Sequence, residues 1–214
     1  MLLTGIHPSY AQKDSGGFPL YELPAVGKTR AIALYITGDG GWNSFSKKLC
    51  QTLADRGYHI VALDSKEYFW GLKNPDQLAD DISKIVKSVQ SQLKIESWIL
   101  IGYSFGADVG SFIPSHLSES NVYPVRCIYL TPSTSTDFEI KINDMINFSQ
   151  KQRKYDVRKE IEKAIVPTLC LLSERDVDVH YTRPVKTKKL PGDHRFDNNF
   201  SLIVKEIISF IDTK

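Results

Sequence analysis

The segment Ile99-Leu100-Ile101-Gly102-Tyr103-Ser104-Phe105-Gly106 constrains this chain more than any other stretch. Its apolar run reads as a buried strand, and Gly-x-Ser-x-Gly then turns the backbone sharply into a helix beginning near Ala107. Glycine is needed at 102 and 106 because strand and helix approach too closely there for side chains. The same turn pushes the Ser104 hydroxyl into the open, as a nucleophile elbow does. Gly and Ser are common, so the five residues alone say little; their place between strand and helix gives the pattern its force.

The rest of the chain supplies the matching framework. Ala31 to Ile36 reads as a strand ending in Thr37-Gly38-Asp39-Gly40-Gly41, followed by a helix with Phe45, Leu49 and Leu53 on one face and Gly57 as its stop. Ile60 to Leu63 is a second strand, ending at Asp64. Asn74 caps the next helix and Pro75 suits its first turn, with Leu78, Ile82, Ile85, Val86, Val89 and Leu93 on one stripe. Val125 to Leu130, Pro167 to Leu172 and the more polar Val185 to Leu190 are further strands, the last suited to a sheet edge. Ser201 to Ile211 closes the chain as a helix. This alternation predicts an α/β class: an α/β-hydrolase fold, a mostly parallel sheet covered by helices on both faces. Ligands bind such sheets at the carboxyl ends of the strands, where Asp39, Asp64, Ser104 and Asp176 fall.

At 214 residues the chain fits one domain, expected over 18–214. Residues 134–166 are irregular enough to form a small cap. Residues 1–17 read as a disordered arm or as the remnant of an export signal: Met1 to Ile6 is too short for a signal core, yet Ser9-Tyr10-Ala11 before Gln12 resembles a small-x-small cleavage site. A net charge of +2 gives no reason to expect nucleic acid as a partner. No apolar run approaches the roughly 20 residues that cross a bilayer. Cys50, Cys127 and Cys170 stand in apolar stretches at no metal-ligand spacing and read as small buried hydrophobes.

A serine hydroxyl needs a general base within hydrogen-bond reach. His7 lies in the arm, His59 begins a strand, and His116 lies beyond the helix after Ser104. Only His180 and His194 suit the Ser…Asp…His order of this fold, and His194 is favoured because its loop joins the last strand to the last helix. The acid is expected three residues past Ser173, at Asp176, with Asp178 as the alternative and Glu174 behind both. Two backbone donors are needed for a tetrahedral intermediate. The Phe105 amide is one; Asp39 or Gly40 in the glycine-rich turn offers the other. Tyr103, Phe69, Trp70 and the Asp39 carboxylate are candidate substrate contacts, although Tyr68-Phe69-Trp70-Gly71-Leu72 can equally pack its loop onto the sheet. Such a mechanism calls for no metal and no organic cofactor.

Several of these motifs occur together in one family. Thr37-Gly38-Asp39-Gly40-Gly41-Trp42, Asp64 followed by Tyr68-Phe69-Trp70, Pro75, Gly102-Tyr103-Ser104-Phe105-Gly106-Ala107-Asp108, Asp137-Phe138-Glu139-Ile140 and Leu190-Pro191-Gly192-Asp193-His194-Arg195-Phe196 resemble the bacterial virulence protein VirJ and the C-terminal domain of AcvB over roughly residues 30 to 212. The resemblance implies an exported, periplasmic serine hydrolase. It also implies action on aminoacylated phosphatidylglycerol, notably the lysyl form, at a membrane surface, with links to virulence and type IV secretion partners. Ser104 matches the family's nucleophile and His194 its base. Two positions depart: Ser173-Glu174-Arg175-Asp176-Val177-Asp178 replaces a Gly-x-x-Glu-x-Asp pattern, which keeps Asp178 open, and Arg195 stands where many relatives have histidine. A generic small carboxyl ester is the alternative substrate. A non-catalytic periplasmic scaffold on a hydrolase fold is the alternative function.

Overall fold

The computed structural model describes residues 11–15, 17–118, 122–140, 153–176 and 179–213. Apolar runs bury both faces of five parallel strands: β3 (Ala31–Ile36), β4 (Tyr58–Leu63), β5 (Trp98–Tyr103), β6 (Arg126–Leu130) and β9 (Thr168–Ser173). β10 (Lys186–Leu190) joins in parallel at one edge, and its first four residues are exposed. Lysines on that edge oppose pairing with another chain. With β1 (Ala11–Ser15) and β2 (Phe18–Leu23) the whole is an eight-stranded sheet in the order β1-β2-β4-β3-β5-β6-β9-β10.

Its first two strands differ from the sequence expectation. β1 (Ala11–Ser15) and β2 (Phe18–Leu23) form an antiparallel hairpin, with Gly17 in its turn at φ +85, and β2 continues antiparallel onto β4. Residues 11–15 are therefore sheet rather than arm. Ladder hydrogen bonds to β2 order them, and such bonds leave no hydrophobic period in the sequence. Residues 1–10, including the expected cleavage site as far as Tyr10, and His7 lie outside the described residues.

Helices cover both faces. α1 (Ser44–Ala54) and the terminal helix α7 (Phe200–Ile211) pack Phe45, Leu49, Leu53, Ile203, Ile207 and Phe210 against Ala33, Tyr35, Ile99 and Ile101. On the other face, α3 (Pro75–Leu93) lays its predicted stripe over Ile32, Leu34 and Leu100. Asn74 caps α3 with a reciprocal bond to Gln77, worth about 1 kcal/mol. The short helix α5 (Ile113–His116) packs against α3, while α4 (Phe105–Gly110) lies against β5 and β6. All three cysteines are buried thiols.

Within the expected cap, residues 141–152 lie outside the described residues. The described flanks form a two-stranded ladder, β7 (Ser135–Thr136) with β8 (Tyr155–Asp156), and the helix α6 (Val157–Glu162). Phe138, Val157 and Ile161 are buried in the main core.

Candidate active site

β3 has β4 on one side and β5 on the other, so successive connections leave it in opposite directions. The crevice at their carboxyl ends is a topological switch point, where open α/β sheets bind ligands. Ile36 pairs with Gly102 in the ladder, which brings the turn after β3 beside the turn after β5. A Cβ on Gly38 would sit 3.3 Å from the Tyr103 ring and 3.5 Å from Ser104 Cβ.

Ser104 occupies the elbow in a strained backbone state, φ 52 and ψ −122, rare for a residue with a side chain. The glycines around it have clear reasons. A Cβ on Gly102 would lie 2.4 Å from Gly106 O, and one on Gly106 would lie 2.2 Å from Ile36 O. Helix α4 starts at Phe105, two residues earlier than expected.

The sequence places three site residues far apart, and the fold brings them together. His194 Nε2 is 2.9 Å from Ser104 Oγ, and His194 Nδ1 is 2.8 Å from Asp176 Oδ2. Asp176 is held by its own turn, where its amide donates to Ser173 Oγ at 3.1 Å. His194 rides on a loop pinned by buried Phe196 and by Asp193, whose carboxylate accepts the amides of Arg195 at 2.8 Å and Asp197 at 3.2 Å. Those bonds hold the Asp193 carboxyl below its usual range. Asp178 lies outside the described residues, and Glu174 is exposed. The other described histidines are engaged or positioned elsewhere: His59 pairs with Glu22 at 2.7 Å, His116 meets Ser115, and His180 is exposed in its loop.

The glycine-rich turn is closed by Gly41 N donating to Gly38 O at 3.0 Å. Among the described residues, the amides of Asp39, Gly40 and Phe105 donate to no backbone carbonyl. Thr37 ties this turn to the end of β4: its Oγ1 accepts the Ser65 amide at 2.9 Å, while Ser65 Oγ donates to Thr37 O at 2.6 Å. Asp39 and Gly40 are exposed.

Two expected substrate contacts need correction. Phe69 is wholly buried, edge-on to Tyr68, Phe105 and Phe138, because the loop after α2 (Ser65–Tyr68) folds it into the core. Tyr103 is 5% exposed and donates its hydroxyl to the His194 carbonyl at 3.3 Å, so it supports the histidine from behind. Burial pushes its phenol up to about 12. Trp70, by contrast, is 60% exposed.

Beyond the turn lies a cleft of about 540 Å³ lined by Tyr21, Gly40, Gly41, Trp42, Asp64, Lys66, Glu67 and Trp70. Asp64 reads from sequence only as a strand-end carboxylate. Here its Oδ2 accepts the Trp42 amide at 3.1 Å and its Oδ1 the Lys66 amide at 3.0 Å. Sequence reasoning missed this group because it comes from four separate segments. Among the described residues no cluster of His, Cys, Asp or Glu is arranged to hold a metal ion.

The family model of the bacterial virulence protein VirJ matches residues 30–214. The chain belongs to the VirJ family. A search of curated protein sequences gives no match. Among solved structures, this VirJ-family chain is similar to Est1E from Butyrivibrio proteoclasticus, with a TM-score of 0.64 at 17% identity over 92% of this chain and 95% of that one. It is also similar to MenH from S. aureus (TM-score 0.63, 13% identity, 90% and 97% covered) and to the esterase Est2 from Thermogutta terrifontis (TM-score 0.59, 14% identity, 95% and 92% covered). The VirJ-family chain thus has the α/β-hydrolase fold expected from its sequence. No described helix is long and apolar enough to cross a membrane.

Proposed function

We propose that this VirJ-family protein is a serine esterase. Ser104 Oγ attacks the ester carbonyl while His194 Nε2 takes its proton, and Asp176 holds the imidazole in the productive tautomer and stabilises the imidazolium. His194 returns the proton to the departing alcohol, leaving an acyl-enzyme. Water, activated by the same imidazole, then releases the acid. The Phe105 amide and that of Gly40 or Asp39 receive the oxyanion. One observation carries this reading: His194 lies between Ser104 and Asp176 with contacts of 2.9 and 2.8 Å.

An aminoacyl-phospholipid such as lysyl-phosphatidylglycerol is the preferred substrate, hydrolysed at a membrane surface in the periplasm, and the motif resemblance supports it. The exposed Asp39 carboxylate beside the oxyanion turn suits an ammonium on the acyl group. The test is labelling with a fluorophosphonate, expected for the wild type and lost in Ser104→Ala. It is paired with release of free amino acid from a panel of aminoacyl-phosphatidylglycerols. A folded wild-type protein that neither labels nor releases amino acid overturns the proposal.

A further inference from the structure

Strained backbone gathers around Ser104 and His194, and one strained residue belongs to neither. The described non-glycine residues with positive φ are Lys94, Ser104, Thr131, Phe196, Asp197 and Asn198. Ser104 is the elbow itself, and Phe196 to Asn198 shape the turn that follows His194. Lys94 is the left-handed cap that ends α3. That leaves Thr131, the residue after β6, at φ 49.

This conformation is costly for Thr131. Its side chain is β-branched, and the left-handed region is crowded for such residues. Pro132 follows, and a proline drives the residue before it toward extended backbone. The side chain is 5% exposed, and its hydroxyl has no hydrogen-bond partner among the described residues. Glycine would take the same turn at little cost. Strain of this kind persists only where the surroundings impose it.

The surroundings here are the elbow and the strand that leads to Asp176. Leu130 O accepts the Ser104 amide at 2.9 Å, and the Thr131 amide donates to Leu171 O at 2.8 Å. Two residues further on, the Ser133 amide donates to Asp108 at 2.6 Å. Ser104 O in turn accepts the amides of Ala107 and Asp108 at 2.8 and 3.0 Å. The segment 130–133 therefore grips the elbow at residue 104 and again at residue 108, while β9 holds it from the other side. Pro132 has no N–H and ends the ladder, so the turn between the two grips falls on Thr131.

We propose that Thr131 is a positioning residue for the nucleophile: its left-handed turn makes the segment 130–133 a brace that holds Ser104 in its own strained state. The kinetic consequence rests on the esterase reading. A branched side chain leaves the turn few alternative states, whereas glycine opens many. The brace acts through the backbone, so the orphaned hydroxyl is not its working part.

The experiment compares Thr131→Gly, Thr131→Val and Lys94→Gly with the wild type. Lys94 lies in the connection entering β5, at the opposite end of that strand from Ser104, so its variant reports what glycine does at a left-handed residue outside the brace. Melting temperatures of both glycine variants are expected to rise or to stay within roughly 5 °C of the wild type. With p-nitrophenyl acetate, Thr131→Gly is expected to lower kcat at least about tenfold with KM unchanged. Fluorophosphonate labelling should slow alike, and the pH midpoint of kcat should stay in place because His194 and Asp176 are untouched. Thr131→Val, which keeps the branch and loses the hydroxyl, is expected to recover most of that rate. Hydrogen exchange of the Ser104 amide, followed by NMR, is expected to quicken in Thr131→Gly and not in Lys94→Gly.

A Thr131→Gly protein that melts normally and reacts at the wild-type rate overturns the brace. So does a Thr131→Val protein as slow as Thr131→Gly, which would make the hydroxyl the working group. A shifted pH midpoint would place the effect on His194, and melting far below the wild type would make Thr131 a purely structural residue; either overturns the proposal. If the wild type neither labels nor hydrolyses, the esterase reading falls and Ser104 exchange decides the brace: faster exchange in Thr131→Gly supports it, and unchanged exchange overturns it too.

Discussion

Asp108, one turn past Ser104, accepts the backbone amide of Ser133 at 2.6 Å, and its other carboxyl oxygen lies 2.7 Å from the Ser133 hydroxyl. The same Ser133 hydroxyl is 2.9 Å from the Ser135 carbonyl. One hydroxyl hydrogen gives a full linear bond to only one of these acceptors. When Asp108 is protonated it supplies a second hydrogen, donating to Ser133 Oγ while that hydroxyl donates to Ser135 O. Burial raises the Asp108 carboxyl from 3.8 to about 7, partly opposed by the Ser133 bonds and Arg153 and reinforced by Asp39.

This shift has a definite sign. Between pH 4 and 7 the folded chain keeps a proton that the unfolded chain has lost, so stability from this group falls as pH rises through that window. In Asp108→Asn the amide reproduces the protonated pattern without titrating. Urea unfolding should show the wild type losing ~1–4 kcal/mol relative to Asp108→Asn between pH 4.5 and 7.5. A difference that does not change with pH contradicts the assignment.

The acid proposed to orient His194 is tested by ranking. Asp176→Asn keeps the shape but disturbs the tautomer of His194, and a loss of about 10,000-fold in kcat is expected. Steady-state hydrolysis of a p-nitrophenyl ester measures it. A larger loss in Asp178→Asn than in Asp176→Asn would move the acid to Asp178.

The order of strands and helices was legible because continuous apolar runs and a 3.6-residue stripe are direct records of burial. Ser104, Asp176 and His194 were legible because each follows a recognisable strand, so chain order stands in for spatial order. β2 was not. Its sequence Phe18-Pro19-Leu20-Tyr21-Glu22-Leu23 buries only every third residue and has a proline at its second position, so no period of two announces a strand. Without β2, Tyr21 had no place in the fold, and the cleft lost one wall. Tyr68-Phe69-Trp70 shows a second limit: three consecutive aromatic residues divide between core and surface, and composition alone does not say which ring goes inward.

The elbow glycines differ sharply from a loop glycine. Gly106→Ala drives a Cβ to within 2.2 and 2.4 Å of the Ile36 and Thr37 carbonyl oxygens, both backbone atoms at the end of β3. Relief requires β3 and α4 to separate, at a cost of ~1–3 kcal/mol or more. Gly71→Ala meets nothing within 4 Å and should stay within about 0.5 kcal/mol of wild type. Thermal melts compare the two, and fluorophosphonate labelling should slow only in Gly106→Ala. Similar melting temperatures would show that the elbow has slack.

Tyr103 distinguishes support of the histidine from contact with substrate. Tyr103→Phe removes the donor to the His194 carbonyl and leaves the ring packed between Phe45 and His194. Losing that bond should cost about 1 kcal/mol of stability. It should lower kcat several-fold by loosening the imidazole, with KM unchanged, because a side chain 5% exposed offers a substrate almost no surface. Kinetics on one ester and a urea melt measure both quantities. A raised KM at constant kcat would instead put the phenol in the binding groove.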